Sequence, residues 1–585
     1  MRRAQVPWTA AAALLTVALA WMRAVRVDHA VGGYTACHGC FLLPVLGHDA
    51  WLVAAVFVLL ALGAGFDDRR IALPFRLIAA SVILVQAIDL VLLYLFTQRF
   101  YLGDLLRFSN DSAAAWSVAR AQFLSANALG FDALGAVVLG VLGGLLVTGR
   151  RSRLQLRVLL AAAIAALVFS VVALSEPLRY VHEELVSNVL EVNLPQDRAA
   201  PFSTAYAQEA VHRAQTLPLT CDAGKPTGRN IVIVITESLS AWQSALLGGA
   251  HDWLPRLDAL ARANHYFTRF YANGFTTDGG EIAAITGRPP LIPPGSDWYS
   301  LNAFGPGANT LPGVAHRAGY TALHFTTENL GFLDTGAWLR KLGFDTVEGG
   351  ENPFYAGMPR EQFGAAEDAA LFARFLDWLG KRRDARPFVA VLLTVSSHPP
   401  FVDPRSGRID PAGTFHYVDD QLADFHDALA KQGFLTNGIL MITGDHRSMT
   451  PIGRGEYARF GERAFARIPL IVAGAVDMPP VVDAAFQQSD IPASIAHVLG
   501  VNYCRSAFNG VFLDRQPQPA KYVVQARGDN RNRVDVYFDD RVASYLEDGD
   551  RSHWLGSERP PDADRVAAWI DAHRVRDATT LADER

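Results

Sequence analysis

Cysteine is scarce in this sequence, with only four among 585 residues. Cys37 and Cys40 stand together as CHGC, whereas Cys221 and Cys504 are far apart. The CHGC pair is more typical of a simple disulfide, or of two thiols, than of a redox or metal motif. A c-type haem is excluded, because its attachment motif needs a histidine where Phe41 stands. For Cys221 and Cys504 two alternatives stay open, buried thiols or a disulfide, which an oxidising compartment permits.

Long runs of basic residues are also lacking beyond the first third, and the formal net charge is −5. Aromatic residues are not interleaved with lysine or arginine, so a nucleic-acid partner is excluded. Hydrophobic residues make up 50% of the chain, yet 19% of it is charged. This mixture predicts a membrane part joined to a soluble part, and the length predicts two or more domains.

Five long apolar runs occupy the first 177 residues. Each approaches or exceeds the roughly 17–25 residues that cross a bilayer core. The first run is not a cleaved signal peptide, because no small-residue cleavage site follows it and four more runs do. The runs are Val6–Met22, Ala50–Phe66, Ile71–Phe96, Gly130–Val147 and Leu154–Leu174.

Arginine is concentrated in the short loops on one side of these runs, so the positive-inside rule places the N-terminus in the cytoplasm. Five crossings then put everything after Leu174 outside. We therefore predict a multi-pass protein of the cytoplasmic (inner) membrane with a periplasmic or extracellular soluble part. The arginines are Arg2, Arg3, Arg69, Arg70, Arg150, Arg151 and Arg153.

Two charged residues fall inside the third run. Arg76 lies near its cytoplasmic end, where a long side chain can reach the interface. Asp89 lies toward the outer half, and it predicts either a structural hydrogen bond or a contact with a lipid head group.

Beyond the runs, Val181, Leu185 and Val189 recur at helical spacing, which predicts an amphipathic linker on the membrane or on the next domain. Apolar strands then alternate with helical patterns such as Trp253–Ala263 and Ala365–Leu379. This alternation predicts a mostly parallel α/β sheet with helices on both faces. The expected strands are Ile231–Ile235, Thr321–Phe325, Phe388–Val395, Ile439–Thr443 and Pro469–Val472.

Reactive side chains follow three of these strands where each strand ends. Glu237 follows the first, His398 the third, and Asp445 with His446 the fourth. Ligands of such sheets bind outside the carboxyl ends of the strands. Carboxylate oxygen and imidazole nitrogen are good ligands for a divalent transition metal. An Asp-His pair alone is more often a solvated turn, but three strand ends together predict a metal site at one edge.

A fourth reactive segment is GFTTDGGEIAAITG, residues 274–287. The pattern predicts a helix whose first turns begin near Glu281, with Asp278 as its cap. Thr277 then lies at the helix N-terminus, where backbone N–H groups favour a phosphate or a developing alkoxide. A threonine is a poor nucleophile unless a metal lowers its pKa. The alternative is a threonine in an ordinary capping loop.

Together these segments resemble the alkaline-phosphatase/sulfatase superfamily. They most resemble its lipoteichoic-acid-synthase-like branch, which transfers phosphoglycerol from phosphatidylglycerol. The resemblance covers the whole plan of five spans, a linker and an extracytoplasmic domain. The matching motifs are NIVIVITESLS, TDGGE at 277–281, SSHPPF, ITGDHR, RIPLIVAG and SDIPASIAHVLGV.

The resemblance implies a site with one divalent cation, manganese first, with zinc or magnesium as alternatives. Its ligands would be Glu237, Thr277, Asp445 and His446. Thr277 would also be the catalytic nucleophile, forming a phospho-threonine, and His398 would bind the substrate head group. Thr276 is the competing nucleophile if the loop alignment shifts by one residue.

The sequence also departs from the resembled families. Phe332-Leu333-Asp334-Thr335 stands where the synthases carry a tryptophan and an arginine that grip glycerophosphate. Thr326, or a neighbour, stands where they carry a histidine. Sulfatases proper need a CxPxR-like motif, which this sequence lacks. In phosphoethanolamine transferases the motif after the first strand is GESAR-like, and TESLS fits it less well.

We expect an α/β protein in which a bundle of five transmembrane helices precedes an extracytoplasmic alkaline-phosphatase-like α/β/α sandwich. A small antiparallel C-terminal subdomain follows, built from KYVVQA, RVDVYFDD and RVASYLED, with a polar tail after Arg559 that holds one short helical pattern, Val566–Ile570. The expected domains are the transmembrane domain 1–177, the linker 178–229, the catalytic domain 230–515 and the subdomain with its tail 516–585.

The expected function is transfer of a phosphorylated, phosphoglycerol-like head group from a phospholipid donor to a periplasmic or surface glycan or a lipid-linked acceptor. One alternative is a sulfatase-like or phosphodiesterase-type hydrolase of the same fold. Another is a phosphoethanolamine transferase. A non-catalytic receptor is disfavoured, because all four implied metal ligands are present.

Overall fold

The structure is a computed structural model that describes residues 8–35, 39–104, 129–147, 152–174, 183–194, 201–294, 296, 299–360 and 364–583. The chain forms two compact units, one built chiefly from residues 1–105 and 122–196 and the other from residues 197–448 and 456–585.

The first unit contains an apolar helix at the position of each predicted run. Within the described residues, four helices are long and apolar enough to cross a membrane, and the apolar helix at Asp132–Val147 is shorter. The predicted bundle is therefore confirmed, while the count of five spans is approximate. The helices are α1 (Trp8–Thr35), α2 (Leu42–Gly65), α3 (Arg69–Phe96), α4 (Leu129–Val147) and α5 (Arg153–Ala173).

Small residues let the helices of this unit approach closely. A Cβ at Gly47 of α2 would lie 2.9 Å from the Cβ of Ala173 in α5. Apolar helices in lipid gain little from the hydrophobic effect between themselves, so close van der Waals packing at small residues holds them together.

Buried ion pairs cross-link the same unit. Arg23 lies 2.9 Å from Asp49, and Arg99 lies 2.8 Å from Asp89. Both guanidiniums also donate to backbone carbonyls within residues 184–187. Asp89 accepts the Phe100 N–H at 2.8 Å. Of the two roles expected for Asp89, a structural hydrogen bond or a contact with a lipid head group, the structure has the hydrogen bond.

Arg76 differs from the expectation that it reaches the membrane interface. It is buried, and its guanidinium donates to the carbonyl oxygen of Gly63. The glycine makes room for this contact, because a Cβ there would lie 2.8 Å from Arg76 Cγ.

The linker pattern forms two short helices within the described residues, α6 (Glu183–Val186) and α7 (Val189–Asn193). Asn188 and Glu191 close a capping box at the start of α7. Part of the predicted amphipathic linker, residues 178–182 and 195–200, lies outside the described residues.

The second unit is built around an eight-stranded mixed sheet. Neighbouring strands β10, β2, β7 and β5 are parallel, which confirms the predicted α/β core. The strand expected at Pro469–Val472 is Leu470–Gly474, and it runs antiparallel to β10. In sheet order the strands are β13 (Val481–Val482), β3 (His265–Phe267), β12 (Leu470–Gly474), β10 (Gly438–Gly444), β2 (Asn230–Thr236), β7 (Phe388–Leu393), β5 (Thr321–Thr326) and β6 (Thr346–Glu348).

Both faces of this sheet are covered, which explains why its central strands are continuous apolar runs. Along β2, Ile231, Ile233 and Ile235 join one core cluster, whereas Val232 and Val234 join another. The helices of the unit are α8 (Thr204–Gln215), α9 (Pro255–Ala263), α10 (Thr277–Thr286), α11 (Leu311–Arg317), α12 (Thr335–Leu342), α13 (Asp368–Lys381), α14 (Pro411–Lys431), α15 (Phe434–Asn437), α16 (Arg454–Phe460), α17 (Ile491–Leu499) and α18 (Ala563–Asp583).

Short strands surround the main sheet. One small sheet pairs β1 with β15. A disulfide joins Cys221 of β1 to Cys504 of β15, so of the two alternatives for these cysteines, buried thiols or a disulfide, the structure has the disulfide. Cys40 is disulfide-bonded as well, whereas Cys37 lies outside the described residues. The other short strands are β1 (Thr220–Ala223), β4 (Phe270–Tyr271), β8 (Val402–Asp403), β9 (Arg408–Ile409), β11 (Arg467–Ile468), β14 (Phe486–Gln487) and β15 (Asn502–Arg505).

The C-terminal segment forms the expected antiparallel sheet, here with a fourth strand. The short helical pattern expected at Val566–Ile570 is present, as part of the longer helix α18 of 21 residues. Val566, Trp569 and Ile570 of α18 join the core of this sheet, and Trp569 stacks on Phe508 with ring centroids 3.8 Å apart. The strands are β16 (Val523–Ala526), β17 (Arg533–Phe538), β18 (Arg541–Leu546) and β19 (His553–Leu555).

Candidate functional site

Glu237 lies at the carboxyl end of β2, and the neighbouring strand β7 fixes its backbone. Its N–H donates to the Thr394 hydroxyl at 3.1 Å, and its carbonyl accepts from the Ser397 hydroxyl at 2.5 Å. Ser238 adopts a φ of +56°, in the left-handed region that non-glycine residues seldom occupy. This sharp turn directs the Ser238 N–H to Asp445 Oδ1 at 2.7 Å.

Asp445 and His446 follow the adjacent strand β10 and face Glu237. His446 Nε2 lies 3.4 Å from Asp445 Oδ2 and 3.6 Å from Glu237 Oε1. All three side chains are buried, with at most 1% of each residue exposed. One ligand atom from each falls within 4.8 Å of the others. The predicted convergence of these strand ends is present.

Two atoms of this cluster carry the evidence for a cation. Asp445 Oδ2 and His446 Nε2 are buried without a hydrogen-bond partner, which is costly for polar atoms. His446 Nδ1 lies 2.8 Å from the Arg447 carbonyl oxygen. That contact assigns the proton to Nδ1 and leaves the Nε2 lone pair for a ligand. The donor set of carboxylates and one imidazole therefore fits a divalent transition metal.

The electrostatics of the cluster agree with this fit. Burial and the negative charge of Glu237 raise the pKa of Asp445 well above its ordinary value. Burial opposes ionisation of Glu237, but His398, His446 and the Ser238 hydroxyl outweigh it and lower the pKa of Glu237. Two adjacent buried carboxylates repel each other when both are ionised. A cation between them removes that repulsion and is therefore favoured.

Thr277 and Thr276 point to different partners. The Thr277 hydroxyl donates to Glu237 Oε2 at 2.8 Å, which brings it to the cluster. The Thr276 hydroxyl accepts from the Gly279 N–H and hydrogen-bonds to the Tyr299 hydroxyl. Thr277 is the first residue of α10, so it lies at the predicted helix N-terminus.

The start of α10 corrects one expectation. The helix begins at Thr277 rather than near Glu281, and Thr276 rather than Asp278 is its cap. The Gly279-Gly280 pair obscured this start, because glycine lowers helix propensity. Packing explains Gly280, since a Cβ there would lie 2.2 Å from the Asp445 carbonyl oxygen.

His398 follows β7 and lies beside the cluster. Burial lowers its pKa, although the nearby charge of Glu237 opposes that shift. Its Nδ1 lies 2.6 Å from the Pro399 carbonyl oxygen, a contact that assigns the proton to Nδ1. Asp368 secures this strand end by accepting the N–H groups of Val395 and Ser396.

Gln488 supports the cluster and has no signature in the sequence. Its side-chain amide donates to the carbonyl oxygens of Gly444 and Asp445, at 2.9 and 2.6 Å. Its carbonyl oxygen accepts the Asn273 N–H at 3.1 Å. One buried glutamine thus ties the Asp445-His446 turn to the segment that leads into α10.

Further acidic residues near the cluster also escaped the sequence analysis. Glu328 comes two residues after β5, and the strand-end rule that found Glu237 applied to it equally. Burial raises the pKa of Glu328 well above its ordinary value, and Glu281 and Glu237 add to that rise. Glu281 itself is buried and pairs with His324 Nε2 at 2.9 Å.

Comparison with known proteins shows which family model and which fold the second unit is similar to. Residues 229–501 match the family model "Sulfatase". The fold is similar to a Vibrio parahaemolyticus protein of the alkaline phosphatase superfamily, with a TM-score of 0.52 and 19% identity, covering 66% of this chain and 97% of that one. The second unit thus matches a sulfatase family model over residues 229–501 and has the alkaline-phosphatase fold, as its sequence predicted.

Curated relatives narrow the comparison to one branch. The chain is 23% identical to lipoteichoic acid synthase 2 of Bacillus subtilis over 308 residues, 48% of this chain and 46% of the relative. It is 26% identical to lipoteichoic acid synthase of Staphylococcus saprophyticus over 258 residues, 40% of this chain and 38% of the relative. The chain spans about half the length, or less, of these relatives. The similarity confirms the predicted recognition and an enzyme domain of this superfamily, either transferase or hydrolase.

Proposed function

We propose that this protein is a membrane-anchored, metal-dependent transferase. It moves a phosphorylated, phosphoglycerol-like head group from a phospholipid to a periplasmic or surface glycan, or to a lipid-linked acceptor, through a phospho-threonine. The observation that carries the proposal is the Thr277 hydroxyl, held 2.8 Å from Glu237 beside Asp445 and His446. Similarity of the domain to lipoteichoic acid synthases supports the choice of donor.

Glu237, Asp445 and His446 would hold one divalent cation, and Thr277 would complete the set. When bound, such a cation stabilises negative charge on a threonine oxygen and on phosphate oxygens. We take manganese as the first candidate, with zinc or magnesium as alternatives. The unpartnered Asp445 Oδ2 and His446 Nε2 support one cation at this position.

In the first step, Thr277 Oγ1 attacks phosphorus while the bond from phosphorus to the diacylglycerol oxygen breaks. The threonine loses its proton and the departing diacylglycerol hydroxyl gains one, so the step is balanced. N–H groups at the start of α10 face the transferred phosphoryl group. We assign His398 to the leaving oxygen or to the head group, as a proton carrier or a hydrogen-bond donor.

In the second step, an acceptor hydroxyl displaces Thr277 from phosphorus. Water in place of that hydroxyl gives a hydrolase with the same residues. Apolar helices long enough to cross a membrane favour a lipid donor, which tilts the proposal toward transfer.

Release of diacylglycerol tests the proposal directly. The purified full-length protein in detergent is incubated with Mn²⁺ and phosphatidylglycerol labelled in its acyl chains. We expect labelled diacylglycerol, and a phosphoglycerol ester on the peptide that contains Thr277. Continued release beyond one equivalent per enzyme without an acceptor supports hydrolysis, whereas release that needs an acceptor to go beyond one equivalent supports transfer. Absence of release with phosphatidylglycerol, phosphatidylethanolamine and the other common phospholipids would overturn the lipid donor.

The side of the membrane is tested separately. We place the sulfatase-family domain outside the cytoplasm, on the basis of the arginine-rich inner loops. An alkaline-phosphatase reporter fused after Arg229 is expected to be active. If the alkaline-phosphatase fusion is inactive, and a reporter that works only in the cytoplasm is active at the same position, both the topology and the lipid donor are rejected.

A further inference from the structure

The loop that carries His398 leaves strand β7 beside the start of helix α13. Its residues 394–397 are all buried. His398 is the residue that we assign to the leaving oxygen or to the head group, and its backbone continues directly from this loop. The conformation of the loop therefore decides where the imidazole lies.

Asp368, the first residue of α13, binds two consecutive N–H groups of this loop with a single oxygen. Its Oδ1 accepts the Val395 N–H at 2.9 Å and the Ser396 N–H at 3.0 Å. In return, the Ser396 hydroxyl accepts the Asp368 N–H at 2.9 Å. Asp368 is only 1% exposed, so its removal would leave two buried N–H groups unpaired, which is costly.

The start of α13 is itself held from two sides. The Tyr417 hydroxyl of α14 accepts the Ala369 N–H at 3.1 Å and donates to Glu367 at 2.9 Å. The Thr327 hydroxyl, just after β5, donates to the Ala366 carbonyl at 2.6 Å. The helix start is thus a fixed point to which the loop after β7 is attached.

The same loop reaches the metal cluster at its other end. The Ser397 hydroxyl donates to the Glu237 carbonyl oxygen, and Glu237 is the residue that holds the Thr277 hydroxyl. The His398 N–H donates to the Val395 carbonyl oxygen at 2.9 Å, which closes a turn. The first residue of that turn is bonded to Asp368, and its last residue is His398.

We propose that Asp368 is a positioning residue for His398. Its Oδ1 fixes the turn that sets the place of the imidazole relative to Thr277, and it acts through this turn rather than through its charge. The inference rests on the proposed function, which gives His398 its part in the transfer. A displaced imidazole keeps its chemistry and loses its geometry, and a misplacement of about 1 Å can cost roughly 10²-fold in rate.

A double-mutant cycle in the full-length, Mn²⁺-loaded protein tests the inference, with diacylglycerol release as the readout. Asp368→Leu should lower activity by about tenfold or more, in the same parameter, kcat or KM, that His398→Ala changes. In the His398→Ala background it should cost less than about threefold, because the residue that it positions is gone. Asp368→Asn keeps Oδ1 as an acceptor, so activity should stay within about threefold of wild type.

The matched control is Asp419→Leu. Asp419 is also buried, and it accepts the N–H groups of Arg256 and Leu257 at the start of α9. Its loss should destabilise the domain and multiply with His398→Ala, because these sites are independent. Multiplicative effects of Asp368→Leu and His398→Ala, or an inactive Asp368→Asn, would overturn the inference. A raised Mn²⁺ requirement as the sole effect of Asp368→Leu would also overturn it.

Two further measurements keep the test decisive if Asp368→Leu folds poorly or if turnover is absent. Ser396→Ala removes only the acceptor of the Asp368 N–H, so it should cause a smaller loss that also disappears in the His398→Ala background. Amide hydrogen exchange needs no turnover: the Val395 and Ser396 amides should exchange about tenfold faster or more in Asp368→Leu, and at the wild-type rate in Asp419→Leu. Unchanged exchange in Asp368→Leu would overturn the inference. A wild-type protein that releases no diacylglycerol would instead refute the proposed function.

Discussion

Buried charges are arranged in opposite ways in the two units of this protein. In the helical unit, Asp49 and Asp89 each face an arginine within 3 Å. At the sheet edge, Glu237 and Asp445 face each other and a histidine, and no arginine or lysine pairs with either among the described residues. In the helical unit each carboxylate is neutralised by an arginine. At the sheet edge the two carboxyl groups have too little positive charge nearby to neutralise both.

This difference separates a structural role from a chemical one. A buried acid that is paired and fully hydrogen-bonded supports the fold, because removing either partner strands a charge. A buried acid without a counter-charge destabilises the metal-free protein, unless a cation supplies the missing charge. The following predictions test that contrast.

The largest effect is expected from Thr277→Ala. Loss of a covalent nucleophile should lower kcat by roughly 10³-fold or more, because alanine has no hydroxyl to attack phosphorus from the position that Thr277 occupies on Glu237 Oε2. Diacylglycerol release measures the loss, and the unfolding temperature checks the fold. Thr276→Ala is the matched control and should be milder. A dead Thr276 variant beside an active Thr277 variant would move the nucleophile by one residue, and two active variants would reject the covalent mechanism.

Asp445→Asn should separate stability from metal binding. The change keeps the oxygen that accepts the N–H groups of Ser238 and His446 and removes one negative charge. The metal-free protein should therefore unfold at a higher temperature, while stabilisation by added Mn²⁺ disappears along with activity. Thermal unfolding with and without Mn²⁺ measures both. A lower unfolding temperature without metal would contradict the view that this acid lacks a counter-charge.

Asp89→Asn should do the reverse in the helical unit. It leaves the buried Arg99 without its carboxylate, which costs about 3–5 kcal/mol in comparable buried pairs. Unfolding in detergent should show the loss at every Mn²⁺ concentration. The control is Glu209→Gln, whose exposed pair with Arg213 should leave stability unchanged. Mn²⁺-dependent rescue of Asp89→Asn would erase the contrast between the two units.

Gln488→Leu should have the smallest of these effects. It removes two hydrogen bonds to the carbonyls of Gly444 and Asp445 without touching a metal ligand. Loss of such an outer support typically weakens metal binding by about 10–100-fold. Titration of the metal-free enzyme should show a higher Mn²⁺ requirement, with kcat near normal at saturation. Gln488→Glu keeps an oxygen to accept the Asn273 N–H but turns an acceptor toward the two carbonyls, so it should weaken Mn²⁺ binding at least as much as Gln488→Leu. A lower kcat at unchanged Mn²⁺ affinity would contradict a positioning role.

The strand-end rule explains how much of the site could be predicted. Glu237, His398 and Asp445 each follow a buried apolar strand, so a local pattern marks their position at the edge of the sheet. Gln488 could not be found in this way, because its partners are backbone carbonyls far away in the sequence. Such contacts leave no periodicity and no characteristic residue type at either end.

The two helix errors have a related cause. Gly280 lowers helix propensity, so the pattern placed the start of α10 too late, yet contact with the Asp445 carbonyl requires a glycine there. In α18 the apolar stripe at Val566, Trp569 and Ile570, which packs on the C-terminal sheet, marked only the centre of the helix, and the polar residues around it concealed its full length. In both helices tertiary packing decides the structure against the local preference.

The disulfide between Cys221 and Cys504 can form only late in the synthesis of this protein. The two cysteines are separated by 283 residues, one ahead of the main sheet and the other near its last helix. At synthesis rates of roughly 5–20 residues per second, the first thiol waits on the order of 15–55 s for its partner to emerge. During that interval Cys221 is open to oxidants and to wrong partners, so an oxidoreductase that shields or reshuffles it would raise the yield of mature protein.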